Sequence, residues 1–312
     1  MPTKIGNGVT YPDNSIESSS RSPIRAIFGF GSNVSGNSNT LNLVNNYGDV
    51  STDTSSVATA RYGLVGASYG GDKAIFGFGS NKISIGDYLN TISLINNLGQ
   101  YISETSGTGV IRAYLGGASY GNDKVIFSFG ETSGSVSLNT ITLINNIGSI
   151  VQDSSGTGTA RRGLAAAGYG GDKAIFGFGF VSATVNILTL VNNTGGHASE
   201  TSGLGTARQL LAAAGYGGDK AIFGFGLTGS FLNTINLINN NGVYSSETSG
   251  IGTGRYALAA TGYGGDKAIF GYGAAPTNLN ITNKVINTGV IVSDTSGIGT
   301  SRSYLAASSY GS

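Results

Sequence analysis

One phrase recurs through the chain. YGGDKAIFGFG occupies residues 69–79, returns letter for letter at 169–179 and 216–226, and returns with small changes at 120–130 and 263–273. An arginine keeps step with it, at Arg61, Arg112, Arg161, Arg208, Arg255 and Arg302, at spacings of 51, 49, 47, 47 and 47 residues. IFGFG or a close variant begins at Ile27, Ile75, Ile126, Ile175, Ile222 and Ile269. A unit this short cannot bury enough apolar surface alone, so six copies imply an array in which neighbours cover one another.

The unit reads as four short strands. From Arg208 onward, ARQLLAAAGY is a run of small apolar residues, GGD a tight turn, and KAIFGFG an aromatic run. An irregular LTGSFLN follows, then the alternating TINLINN and, after a turn, NGVYSSET. Nothing in it has helical periodicity. Four antiparallel strands per unit of about this length make a β-propeller blade. The small residues of the first strand suit the crowded wall of a central channel. In the second strand, alternation predicts Phe76 and Phe78 on one face and Gly77 and Gly79 on the other, leaving room for a neighbouring blade. In the third, Ile235 and Leu237 share one face, Thr234 and Asn236 the other.

The chain ends fit this reading. The repeats begin at SPIRAIFGFG, already a second strand with Arg25 in place of the repeat lysine, and end at SRSYLAASSYGS, only a first strand. The two fragments add up to one blade, which an open β-solenoid would not explain. The expected fold is therefore all-β: a six-bladed β-propeller of four-stranded antiparallel blades over residues 23–312, closed by N- and C-terminal strands sharing one blade and preceded by a segment, 1–22, of different composition.

Bulk properties narrow the function. Charged residues are 11% of the chain and the formal net charge is +1, which argues against nucleic acid as a partner. There is no cysteine, so disulfides and thiolate metal sites are excluded. No apolar run approaches membrane-spanning length, and the first twenty residues lack the apolar core of a signal peptide.

Most charges belong to the repeat. Twelve of 17 basic residues are the arginine set plus Arg25, Lys73, Lys124, Lys173, Lys220 and Lys267. Eleven of 16 acidic residues are Asp72, Asp123, Asp172, Asp219 and Asp266, with Asp53, Glu104, Asp153, Glu200, Glu247 and Asp294. A charge present in every unit is expected in a structural pair or turn cap, since a catalytic group acts at one place. The second acidic set lies eight residues before each arginine, and a connecting loop could fold the two together. The only histidine, His197, reads as a solvent-facing loop residue in NNTGGHASE, and no metal or other cofactor is expected. Glycine strings such as GTGTAR lack the lysine and the helix of a phosphate loop, and read as turns.

The stretch between second and third strands changes in every unit: 32–39, 80–90, 131–139, 180–186, 227–233 and 274–280. In a propeller these loops share a face with the connections between blades, and function tends to sit on loops held by a rigid scaffold. The longest carries Lys82, Asp87 and Tyr88, a set suited to polar and stacking contact with a sugar. Asn33, Asn37, Glu131, Phe180 and Phe231 complete the candidate ligand-binding residues; no catalytic or metal-binding residue is expected.

Two resemblances follow from these residues. R…LAAAGYGGDKAIFGFG…TINLINN resembles the kelch repeat over residues 24–312, though it lacks tryptophan and places its diglycine after the first strand. IGNGVTYPDNSIESSS, near the N-terminus, is similar to segments of bacteriophage tail and fibre proteins, with Asn14-Ser15 where those have Gly-Thr. That similarity implies a virion structural or host-contact protein, with residues 1–22 meeting other virion proteins; the missing catalytic constellation makes it non-enzymatic, and the variable loops make a host surface glycan or receptor the expected ligand. A homo-oligomer is compatible with it. The alternative is a non-viral extracellular lectin or adhesin.

Overall fold

Small residues in alternation, stopped by Gly-Gly-Asp and Asn-rich turns, fold each repeat into an antiparallel sheet. The structure, a computed structural model, describes residues 24–81, 87–203 and 205–311, with the strands Thr3–Ile5, Gly8–Thr10 and Ile16–Ser18 of the leader. These three pair antiparallel in a sheet of their own; the rest of the 1–22 segment lies outside the described residues. Blade 2 shows the pattern: Val65–Tyr69, Lys73–Gly77, Thr91–Ile95 and Tyr101–Ser106, hydrogen-bonded in that order. Lys73 lies opposite Tyr69 and Gly77 opposite Val65 across its first hairpin. In blade 6 two isolated bridges, Thr282 with Thr295 and Val285 with Ile291, stand in place of the fourth strand.

Blade 1 is assembled from both chain ends. Its first strand is Ala306–Tyr310, paired with Arg25–Gly29, then Thr40–Val44 and Thr54–Ser55. Around the axis Ala306–Tyr310 packs between the first strands of blades 6 and 2, so the ring is closed. The six first strands wall a narrow channel of about 260 Å³.

Two circles of main-chain hydrogen bonds hold the blades. On the hairpin side, the first glycine after each tyrosine donates to the next blade: Gly70 to Asp123 O, Gly121 to Asp172 O, Gly170 to Asp219 O and Gly217 to Asp266 O, each at 2.7 Å. Gly264 donates to Ile24 O and Gly311 to Asp72 O, which completes the circle. These glycines hold φ between +56° and +77°, where a side chain would strain the backbone. On the opposite side a second circle runs Tyr114 N to Gly63 O, Gly163 N to Tyr114 O, Leu210 N to Gly163 O, Ala257 N to Leu210 O, Tyr304 N to Ala257 O and Gly63 N to Tyr304 O, at 2.7–2.9 Å.

The blade interfaces are aromatic. Phe78 packs on Phe127, Phe129 on Phe176, Phe178 on Phe223 and Phe225 on Phe270, with Phe30 on Phe76 and Tyr272 on Phe28 closing the series, at centroid distances of 5.3–5.9 Å. Each such buried ring contributes about 1.5–3 kcal/mol. The expected sharing of a face by Phe76 and Phe78 is therefore corrected: Phe76 meets the preceding blade and Phe78 the following one. The strand ends at Gly77 and Phe78 takes φ +63°, so simple alternation stops applying. Gly77 does make room for a neighbour, since a Cβ there would lie 2.7 Å from the Phe127 ring.

Each repeat arginine is fully buried under the preceding blade's second aromatic, for example Arg61 at 4.5 Å from the Phe30 ring centre and Arg161 at 4.1 Å from that of Phe129. Its carboxylate partner is not the one eight residues before it. Arg61 pairs with Glu104 at 2.9 Å and Arg161 with Glu200 at 3.1 Å, while Asp53 pairs with Arg302 at 3.8 Å. The acid sits on the fourth strand of the blade that the arginine opens. The same carboxylate accepts the main-chain N–H two residues before that arginine, as Glu104 does from Thr59 and Asp53 from Thr300. A buried polar residue of the third strand completes the set: Ser93 accepts from Arg61 at 2.7 Å, Thr189 from Arg161 at 2.9 Å and Asn283 from Arg255 at 2.7 Å. The hairpin aspartates pair instead with the adjacent lysine, as Asp72 with Lys73 and Asp172 with Lys173; such half-exposed pairs contribute at most about 1 kcal/mol.

His197 also departs from expectation. It opens the fourth strand of blade 4 and is half-buried, its ring stacked on Phe129 at 5.3 Å and 14°, with Nε2 3.4 Å from Ser128 Oγ and Nδ1 against Thr157 O. Blade 3 carries Ser128 where the other blades have glycine, and the imidazole occupies that neighbourhood.

Two outcomes follow from these contacts. Arg302→Met, which strands Asp53 and Asn42 at the closing interface, should cost roughly 3 kcal/mol in urea unfolding, and an unchanged midpoint would refute the role given to the pair. Burial lowers the His197 pKa, with Arg161 adding to it against the opposing effects of Thr157 and Glu200. The unfolded chain then binds the proton first. Stability from His197 is complete above about pH 6.5 and is lost as the pH falls through the depressed folded value. Melting curves between about pH 7 and 5 should show this slope, and His197→Phe should flatten it.

Candidate ligand-binding face

Antiparallel strands put the hairpin turns on one side of the ring. The loops between second and third strands and the connections between blades lie on the other, as bridges such as Tyr62 with Ser80 and Ala113 with Glu131 show. This loop face is the only one where the blades differ widely in length and residue type.

The structure brings some of the sequence candidates together. The Tyr88 hydroxyl donates to Glu131 Oε1 at 2.8 Å, and Arg162 Nη1 lies 2.9 Å from Glu131 Oε2. The Arg162 guanidinium covers the Phe180 ring at 4.9 Å and donates to Ser135 O. Tyr88, Glu131, Arg162 and Phe180 thus link the loops of blades 2, 3 and 4. Tyr88 and Glu131 are 8% and 6% exposed, so their polar atoms are engaged mainly with one another and with Arg162. Burial raises the Tyr88 pKa, and the bond to Glu131 raises it further.

The other candidates stand apart. Asn33 and Asn37 lie on a short hairpin of blade 1, where Asn33 Oδ1 accepts the Ser35 N–H. The Asp87 carbonyl accepts from Asn81 N and Ser80 Oγ at the neck of its loop. Lys82 lies outside the described residues. Phe231, 40% exposed, stacks on Tyr256 at 5.3 Å and 19°.

Sequence reasoning missed the centre of this face. The two residues after each repeat arginine lie there: Tyr62-Gly63, Ala113-Tyr114, Arg162-Gly163, Gln209-Leu210, Tyr256-Ala257 and Ser303-Tyr304. Tyr62, Tyr114 and Tyr304 form a mutual edge-to-face trio at 5.8–6.2 Å, and Tyr256 joins Tyr304 at 6.2 Å. All four are half-buried. The detectable signal was a two-residue window of free variation between an unchanging arginine and an unchanging leucine.

Burial raises the Tyr304 pKa to about 12, aided by its neighbours Tyr256 and Tyr62; burial likewise raises Tyr114, with Tyr62 contributing. Among the described residues no group of acidic or histidine side chains could hold a metal ion. The face offers aromatic ring surface beside an internally neutralised Arg–Glu–Tyr network, which suits stacking and hydrogen bonding to a neutral polar ligand.

Fold and face define a six-bladed β-propeller of repeated four-stranded blades, compatible with a ligand-binding or structural role. No family model matches the chain, and no curated protein matches it.

Glu131→Gln should bring the Tyr88 pKa down toward the ordinary value of about 10 while Tyr304 stays late, as followed by ring-labelled tyrosine NMR titration. Raised phenol pKa values also set a stability limit. Their contribution is complete below about pH 10 and is lost as the pH rises through the folded values.

Proposed function

We propose that the protein is a non-enzymatic, kelch-like component of a virus particle, a phage tail or fibre part, which displays its propeller to bind a host surface glycan. The observation that carries the binding role is the half-buried tyrosine cluster at the centre of the loop face, on an otherwise repetitive scaffold. Aromatic rings beside hydrogen-bonding groups match the alternating apolar and hydroxylated surfaces of sugars. The particle assignment rests on the resemblance of the leader to phage tail segments, with residues 1–22 as the docking segment. The geometry supports display. Ile24, the first described residue of the ring, has its carbonyl in the hairpin-side circle, on the side opposite the tyrosines.

The test is binding of the purified protein to host cells. Tyr62→Ala with Tyr304→Ala should weaken it at least tenfold, Lys173→Ala on the hairpin side should leave it unchanged, and periodate oxidation of the cell surface should abolish it. Full-length protein should sediment with particles and residues 24–312 should not. Undiminished binding by the tyrosine variant removes the loop-face site, and secretion free of particles favours an extracellular adhesin.

A further inference from the structure

The aromatic rings of the loop face run on beyond the central trio. Of the three, Tyr304 also meets Tyr256, at 6.2 Å, and Tyr256 in turn carries Phe231 stacked at 5.3 Å. Phe231, Tyr256, Tyr304 and Tyr114 thus form a connected row in steps of 5.3, 6.2 and 5.8 Å, with Tyr62 beside the last two. Phe231 comes from a loop of blade 5, Tyr256 opens blade 6, Tyr304 blade 1 and Tyr114 blade 3. The row therefore leads from an outer loop to the middle of the face. Phe231 ends the small hairpin of Leu227–Thr228 with Ser230–Phe231 and is the most exposed of the row, at 40%. The row itself carries no charge, and the Glu131–Arg162 pair of the same face is neutralised at 2.9 Å.

Enclosure bears on what such a row can hold. A site that takes in a single small ligand, or the end of a longer one, is a cavity of roughly 300 Å³ or more. The depression on the axis of this face, lined in part by Leu64 and its five equivalents beneath the tyrosines, is about 70 Å³. A terminal sugar cannot sink into it. What remains is an open line of rings longer than one pyranose, each step close to the length of one hexose in a chain.

We propose that the loop face binds an internal stretch of an uncharged polysaccharide, laid along Phe231, Tyr256, Tyr304 and Tyr114 with about one sugar per ring. This rests on the reading of the loop face as a glycan site and adds which part of a glycan it recognises. Each ring that gains a sugar tightens binding roughly two- to tenfold.

The probe is the surface polysaccharide of the host cells, intact and cut by partial acid hydrolysis into a ladder of sized fragments, each titrated calorimetrically into full-length protein. Affinity should climb roughly two- to tenfold per added sugar and level off at about four. One intact polymer chain should take up several protein molecules, and more as the chain lengthens. The loss caused by Phe231→Ala should grow with fragment length, and Phe231→Tyr, which keeps the ring, should restore the climb. Affinity already complete with one sugar overturns the row and leaves the glycan reading standing. So does one protein per polymer chain at every length, or an equal loss in Phe231→Ala for short and long fragments. If the cells are not bound, or are bound while neither polymer nor fragments are, both readings fall.

Discussion

A guanidinium buried between two sheets is the contact on which the ring depends. Removing a charge from water costs several kcal/mol unless its donors are satisfied and a counter-charge is near. All six repeat arginines have 0% exposure. Each therefore requires an aromatic ring from the previous blade, an acid on its own fourth strand, and a serine, threonine or asparagine on its third. It also donates to a carbonyl two residues back, as Arg161 does to Thr159 O. These demands explain much of the repetition. Burial pulls each guanidinium pKa down, and the carboxylates counter it; at neutral pH the arginines stay charged. Asp53 shows the balance from the other side: burial raises its pKa, but bonds from Thr300 and Asn42 and the charge of Arg302 prevail and leave it low.

Closure uses no special device. The closing contacts are of the same kinds as the internal ones, with Tyr272 over Arg302 at 4.2 Å, Asn42 accepting from Arg302 at 2.5 Å and Gly311 donating to Asp72 O. The exception is Ile24, which lends its carbonyl where other blades use an aspartate. That contact uses the main chain alone, so the substitution leaves the circle intact.

Periodicity made the fold legible. Strand alternation, turn residues and the complementary end fragments each pointed to the same six blades. The arginine partner was not legible for the same reason. Every arginine has one acid eight residues behind and, for all but Arg302, another about forty ahead, and a strict repeat presents both. Only the path of the fourth strand, which ends beside the arginine that opened its blade, separates them. Phe78 was misplaced because its left-handed backbone breaks the alternation rule one residue past the strand, and nothing in IFGFG marks that point. His197 was missed because its pocket is made by Ser128 and Phe129 of another blade. On the loop face the changing loop lengths drew attention outward, while the tyrosine pairs vary without changing length.

The loop-side circle bears on why those residues vary as they do. All six of its members sit at φ between +53° and +63°, a region where glycine is at ease and other residues lose about 1–2 kcal/mol. The circle is made by main-chain atoms alone, so glycine at all six places would hold it with less strain. Only Gly63 and Gly163 follow that logic. Tyr114, Leu210, Ala257 and Tyr304 do not, and Tyr114 and Tyr304 add two large rings held partly in solvent. The hydrogen-bond circle gives no reason for them, nor do the leucines beneath, which pack in every blade whatever stands above. Side chains held against a backbone preference, at the axis where all six blades meet, are offset in part by their own packing: Tyr114, Tyr304 and Tyr62 meet edge to face at 5.8–6.2 Å, and Tyr114 and Leu210 cover Gly63 and Gly163 of the preceding blades.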